Sequence, residues 1–326
     1  MITNYIILAH TNPSQVKRMI AALNDDKTTH FYVHVDLKTD IDPFITALES
    51  FQNLIFLPPE KRQVCNWGGM GIVNATLTAM QMIVKNKEKG YAIILSGQDF
   101  PIKSKSFINA FLNKNYGTEF ISGFPLPTPK WTEGGMWRIE RYKFELSSKK
   151  GDYVLLPSFF DRDFYAIPSL KKLAKFVLKG RVLDLIKIIP KRKFPNYLKP
   201  YGGDTWLGFT TETVSEILQY LTDHPDFLEY IEGCHLPDEI IFQTLVWEIF
   251  KDRQHLIKDS LTYAKWVEPN APSPEIFTSK DLRFLSELPE GKLFARKFDA
   301  SRDSDIMDEL EKQVLSAHPV KSPTLK

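Results

Sequence analysis

Cysteine is scarce in this chain: Cys65 and Cys234 are the two in 326 residues. A disulfide framework is excluded, nothing in their spacing asks for a single bridge, and a reducing compartment is the simpler expectation. Charge of one sign is missing as well. With 42 Lys+Arg against 40 Asp+Glu and a net charge of +2, no global polyelectrolyte partner such as nucleic acid is implied, so any electrostatic function must be local. Runs of about 18 apolar residues, the length of a membrane span, are absent. The opening Met1-Ile2-Thr3-Asn4-Tyr5-Ile6-Ile7-Leu8-Ala9-His10 has neither the basic flank nor the apolar length of a signal peptide and reads as a strand. The expected location is therefore cytoplasmic. What remains is an ordinary soluble composition, 43% hydrophobic and 25% charged, long enough for one large domain or two modest ones.

The N-terminal part alternates. Tyr5 to Ala9 reads as a strand, Gln15 to Asn24 as an amphipathic helix, Phe31 to Asp36 as a strand, Ile41 to Phe51 as a helix and Leu54 to Leu57 as a strand. Such βαβαβ order predicts an α/β fold with a parallel sheet. Ligands of these sheets bind beyond the carboxyl ends of the strands, where His10, His34 and Asp36 fall. After a glycine-rich turn, Cys65 to Gly71, and a helix over 72–85, a strong strand from Tyr91 to Leu95 delivers Asp99 to the same edge. The glycine spacing matches neither a P-loop nor a dinucleotide fingerprint, and an anion cradle and tight packing around Trp67 remain equally open for it.

The stretch from Cys234 to Val246 carries the clearest chemistry. Pro237 leads into Asp238, Glu239 and an apolar run, so both carboxylates are expected on the first turn of a helix, where an ionised carboxylate is favoured unless burial raises its pKa. They can act as a general base or simply favour the helix dipole.

Six stretches, in order, resemble one family: Ile7-Leu8-Ala9-His10, Tyr32-Val33-His34-Val35-Asp36, Trp67-Gly68-Gly69, Ser96 to Lys103, Leu236-Pro237-Asp238-Glu239 and Leu293 to Asp299. Together they are similar to the core-2/I-branching β-1,6-N-acetylglucosaminyltransferases and the related peptide O-xylosyltransferases. The resemblance implies a GT-A fold, a Rossmann-like mostly parallel sheet with helices on both faces. It implies inverting transfer of a sugar, N-acetylglucosamine or xylose, from a UDP-sugar to a hydroxyl. Carried over residue by residue, Glu239 would be the catalytic base, His10 and Asp36 would lie at the nucleoside pocket, and Arg296 and Lys297 would meet the diphosphate. Asp99, closing its strand, joins the expected donor-binding set. Most GT-A enzymes place a metal on an Asp-x-Asp motif. The copies here, Asp161-Arg162-Asp163 and Asp303-Ser304-Asp305, close no expected strand. Two adjacent cations can take the place of a metal electrostatically, so neither cofactor nor metal is expected.

The acceptor side is less marked. Glu140, Arg141 and Tyr142 occupy the family's Arg-Tyr neighbourhood, with ordinary packing as the alternative; Trp206 offers a floor for a sugar, and Trp266 and Asp238 fall near the expected cleft. Where animal members carry a further diphosphate arginine this chain has Pro272, with Lys265 or Lys280 as substitutes. That departure leaves open a catalytically silent nucleotide-sugar or glycan-binding protein on the same fold. From Lys171 to Lys199 ten cations face one acid, Asp184, among interleaved aliphatics, a pattern that fits a helix packed by its apolar side or one lying on an anionic membrane. The expected organisation is one catalytic domain: 1–123 binding the nucleotide-sugar, 124–200 as a variable acceptor-side or membrane-proximal insertion, 201–300 as the acceptor and catalytic half, and 301–326 as a helix and tail. With few cysteines, the resemblance points to a bacterial member building surface polysaccharide on a glycan or lipid-linked glycan acceptor, with peripheral contact at the inner membrane.

Overall fold

The computed structural model describes residues 1–147, 149, 151–267 and 273–312. Pro272 and the part of the expected 301–326 helix and tail beyond 312 lie outside the described residues. The frame is a seven-stranded sheet of β1 (Ile2–Ala9), β2 (Thr29–Val35), β3 (Leu54–Phe56), β4 (Gly90–Ser96), β6 (Glu119–Pro125), β9 (Tyr201–Thr210) and β10 (Ile257–Lys258), in the order β10-β6-β9-β4-β1-β2-β3. β3, β2, β1 and β4 run parallel, while β9 is antiparallel to both its neighbours. This is the GT-A arrangement expected from the sequence. Because β9 inserts between β4 and β6, the 201–300 half shares one sheet with the first half.

Alternation along β1 divides the core. Tyr5, Ile7 and Ala9 point to one face, where they meet helices α1 (Pro13–Leu23), α2 (Asp42–Leu48) and α4 (Lys105–Lys114). Ile6 and Leu8 point to the other, against α3 (Gly71–Lys85), α7 (Thr211–Asp223), α8 (Pro225–Glu232) and α9 (Ile241–Ile249). α10 (Leu282–Ser286) and α11 (Asp305–Leu310) close the first face. A smaller sheet, β11 (Thr262–Ala264), β12 (Phe294–Arg296) and β5 (Asp99–Pro101), lies in the order β11-β12-β5 beside the end of β4.

Most of the 124–200 stretch builds its own small core. The hairpin of β7 (Tyr142–Glu145) and β8 (Tyr153–Leu156) packs with α6 (Ile167–Leu178) through Phe144, Val154, Leu156, Phe164, Phe176 and Ile188. α5 (Trp137–Glu140) joins this unit to the main body. Asp161 and Asp163 stand in it at a 3-10 turn and end no strand, and Asp303 accepts the N–H and hydroxyl of Ser279 and the N–H of Ile306 at the start of α11.

The glycine-rich turn resolves as packing. Gly68 has φ +70°, and a Cβ there would stand 2.8 Å from Cε1 of His235; one on Gly69 would meet Glu145, and one on Gly71 the Val64 carbonyl. The turn presses against the loop that carries the carboxylate pair, with Leu236 N–H donating to the Gly68 carbonyl at 3.1 Å. Gly68→Ala is expected to cost about 1–3 kcal/mol, from a strained backbone and a contact with no room to relax, and to lower the melting temperature accordingly. A variant as stable as the parent would mean that this turn yields.

Candidate active site

The carboxylate pair does not begin α9. Pro237–Glu239 forms a separate turn of 3-10 helix, entered from Leu236 in the left-handed region at φ 55° and left through Ile240 at φ −131°, after which α9 starts at Ile241. Ile240 is fully buried, and the departure from helical φ that seats it breaks the turn from the helix. Neither carboxylate caps α9. The helix-dipole expectation is corrected, and burial governs the pair instead.

The two neighbours part company. Asp238 is 5% exposed and its Oδ2 accepts the Thr205 hydroxyl of β9 at 2.7 Å, while Oδ1 has no hydrogen-bond partner among the described residues. Glu239 instead forms an ion pair with Arg138 at the head of α5, and 28% of its side chain stays open. Burial first, then the charge of Asp238, pushes the Glu239 carboxyl up to about 7, with the Arg138 guanidinium pulling the other way. This is the pKa at which a carboxylate is half ionised near neutral pH and strong enough to take a proton.

Arg138 is held by a tryptophan ring and through its backbone. Its guanidinium lies 3.8 Å over the Trp131 ring, and its carbonyl accepts the His235 N–H at 2.8 Å. His235 sits among Trp67, Trp137 and Tyr153, with ring centroids 5.3, 5.6 and 4.9 Å away. Burial, with Lys143 and Arg138 adding to it, lowers its pKa to about 3, so the imidazole is neutral and adds no charge to the site. Little in the sequence marks Arg138 as the partner of Glu239. Its only signal was adjacency to tryptophan, since the pair is separated by 101 residues.

A chain of contacts leads from the base to the cations. Thr205, which holds Asp238, precedes Trp206, and Arg296 lies 3.8 Å over the Trp206 ring. Arg296 also pairs with Asp99 at 3.2 Å. Asp99 is fully buried and accepts from the Ser96 N–H and hydroxyl at 2.7 and 3.0 Å. It thus stands behind Arg296, placed to hold that side chain and shut off from the open cleft; Trp206, in turn, has one ring face covered. Lys297 is half-buried and lines a cavity of about 720 Å³ with Lys265, Lys280 and Arg302, beside Glu275 and Asp281. Phe298 N–H donates to the Gln98 carbonyl at 2.8 Å, fixing this segment at the end of β4. Both lysines named as substitutes for the missing arginine line this cavity, and Arg302, overlooked in the sequence, joins them.

At the ends of β1 and β2, His10 is exposed and Asp36 is 5% exposed, brought together by the Asp36 N–H to Ala9 carbonyl bond at 2.9 Å. Asp36 Oδ1 accepts the Lys38 N–H at 2.9 Å. His34 is buried, its Nε2 accepting the Gln63 N–H at 2.9 Å, and burial lowers its pKa to about 4, so it serves as a neutral acceptor in the core. Glu140 and Arg141 line a second cavity of about 400 Å³ with Trp137, Asp161, Asp163 and Arg192. Tyr142 is tied into the insertion through its hydroxyl to the Pro190 carbonyl at 2.8 Å. Trp266 stands 50% exposed past β11. Among the described residues no three His, Cys, Asp or Glu side chains converge as metal ligands.

The model of the Core-2/I-Branching enzyme family matches residues 3–286. Xylosyltransferase 2 of Homo sapiens is 22% identical over 345 residues, covering 99% of this chain and 35% of its own length. Xylosyltransferase oxt of Drosophila pseudoobscura pseudoobscura is 30% identical over 326 residues, covering 91% and 31%, and xylosyltransferase sqv-6 of Caenorhabditis elegans 24% over 328, covering 94% and 35%. The chain spans 31–35% of the length of these relatives. The family match takes in His10, Asp36, Arg138, Glu239, Lys265 and Lys280 and ends before Arg296, Lys297 and Arg302, and on it this chain belongs to the Core-2/I-branching enzyme family.

Proposed function

We propose that this protein is an inverting glycosyltransferase that moves a sugar, N-acetylglucosamine or xylose, from a UDP-sugar to a glycan hydroxyl without a metal. The observation that carries the reading is Glu239, recessed yet open, with a carboxyl raised to about 7 and steered by one arginine. As the acceptor oxygen attacks the anomeric carbon, Glu239 takes its proton, and the bond from that carbon to the diphosphate oxygen breaks with its electron pair leaving on UDP. Lys297 and the cations around it would stabilise that charge. The nucleoside would rest against His10 and Asp36. Metal independence is supported by Asp99, the acid that follows β4 and opens β5: it is spent on Arg296 and Ser96. Glu140 and Arg141, in the cavity beside Trp137, are proposed to meet the acceptor, and a bacterial surface-polysaccharide precursor fits this reading.

Calorimetry against UDP and UDP-sugars, in EDTA and again with manganese, tests it. Binding in EDTA is expected, and Lys297→Ala should weaken it about tenfold or more through loss of a charge-assisted contact. Binding that appears only with manganese would overturn the metal-free reading. Unchanged affinity in the alanine variant would remove Lys297 from the diphosphate site. UDP-sugar bound with no transfer to any glycan would favour the silent carrier.

A further inference from the structure

Between β8 and β9 the protein turns outward a face that its core leaves bare. α6 sends Leu173 and Phe176 inward, while Ile167, Leu170, Val177 and Leu178 stand 70, 44, 42 and 87% exposed. At 3.6 residues per turn these outward positions share one stripe with Ala174, Leu173 lying at its edge and Phe176 on the opposite side. The turns that follow split the same way: Leu185 and Ile188 pack inward, and Val182, Leu183 and Ile186 are 51, 85 and 67% exposed. Scattered exposed aliphatics are ordinary; a cluster of this density marks an interface.

The charge around it selects the partner. From 167 to 193 nine cations, seven of them lysine, accompany one acid, Asp184, which Arg181 and Lys187 already share at 2.5 and 3.2 Å. Two copies meeting through this face would oppose their cations, which like-charge repulsion disfavours. Protein interfaces are depleted in lysine and enriched in aromatics and arginine. Aliphatic side chains flanked by long-stemmed lysines fit a fluid anionic surface instead.

We propose that residues 167–193 dock the protein peripherally on an anionic bilayer, Leu178, Leu183 and Ile186 entering the boundary between headgroups and acyl chains while the lysines meet lipid phosphates. The docking does not depend on the chemistry of the site. It would, however, bring the cavity lined by Lys191, Arg192 and Trp137 close to the membrane.

Sedimentation of the full chain with phosphatidylcholine vesicles, with and without a third of phosphatidylglycerol, decides the matter. The protein should pellet with the anionic vesicles, less so in high salt, and remain in solution with the neutral ones. Leu178→Asp/Leu183→Asp/Ile186→Asp should lose about tenfold or more of that affinity, and Lys171→Glu/Lys172→Glu several-fold, with circular dichroism and UDP binding unchanged in both. Equal pelleting with neutral vesicles, pelleting with neither, or an aspartate variant that binds like the parent would overturn the proposal. So would a dimer of the parent that the aspartate substitutions dissolve, since a second copy would then cover the face.

Discussion

Glu239→Gln is expected to lower turnover by about two orders of magnitude or more while UDP affinity stays within about twofold. Glutamine keeps the shape and can still meet Arg138, but it takes no proton, so the loss belongs to the chemical step. The pH profile supplies a second check. Since only the ionised carboxylate is a base and the group titrates at about 7, turnover in the parent should rise through that pH and level off above it. Arg138→Met should move the midpoint upward, because the guanidinium is the charge that pulls Glu239 down against burial and Asp238. Turnover that survives the glutamine substitution nearly intact would assign the base to another group. A midpoint that stays in place in the Arg138 variant would show that the ion pair does not tune it.

Arg296→Met should destabilise the fold by about 3–5 kcal/mol, the cost of leaving a buried charge uncompensated. The side chain is 14% exposed and faces Asp99, which is 0% exposed, across β12 and β5. Burial raises the Asp99 carboxyl, and Arg296 followed by the Ser96 hydrogen bonds opposes that rise. Once the arginine is gone, Asp99 must stay charged in an apolar setting or take up a proton. Asp99→Asn/Arg296→Met should therefore recover most of the lost stability, whereas additive losses on chemical denaturation would show that the two do not interact. The cycle reads stability, so it separates the role of Arg296 in the fold from any role towards the diphosphate.

Much of the frame was legible because it rests on local periodicity. The strands over 5–9, 31–36 and 91–95 and the helix over 72–85 follow from apolar alternation and spacing, and each lies within about three residues of its place in the structure. The turn at Pro237 was misread for an equally physical reason. Proline and two acids are a good helix start by local preference, but burying Ile240 overrode it and set the turn apart from α9.

By itself the sequence determined which side chains could do chemistry and which strand ends would carry them: Glu239 after proline, Asp36 and Asp99 after their strands, and the cations at 296 and 297. Tertiary structure decided what each acid became. Asp99 went behind Arg296, Asp238 bonded to Thr205, and Glu239 met Arg138 from 101 residues away. Charge and burial act through space, and the Glu239 carboxyl reaches about 7 because the folded chain removes water from it and sets the Asp238 charge nearby, with Arg138 limiting the rise.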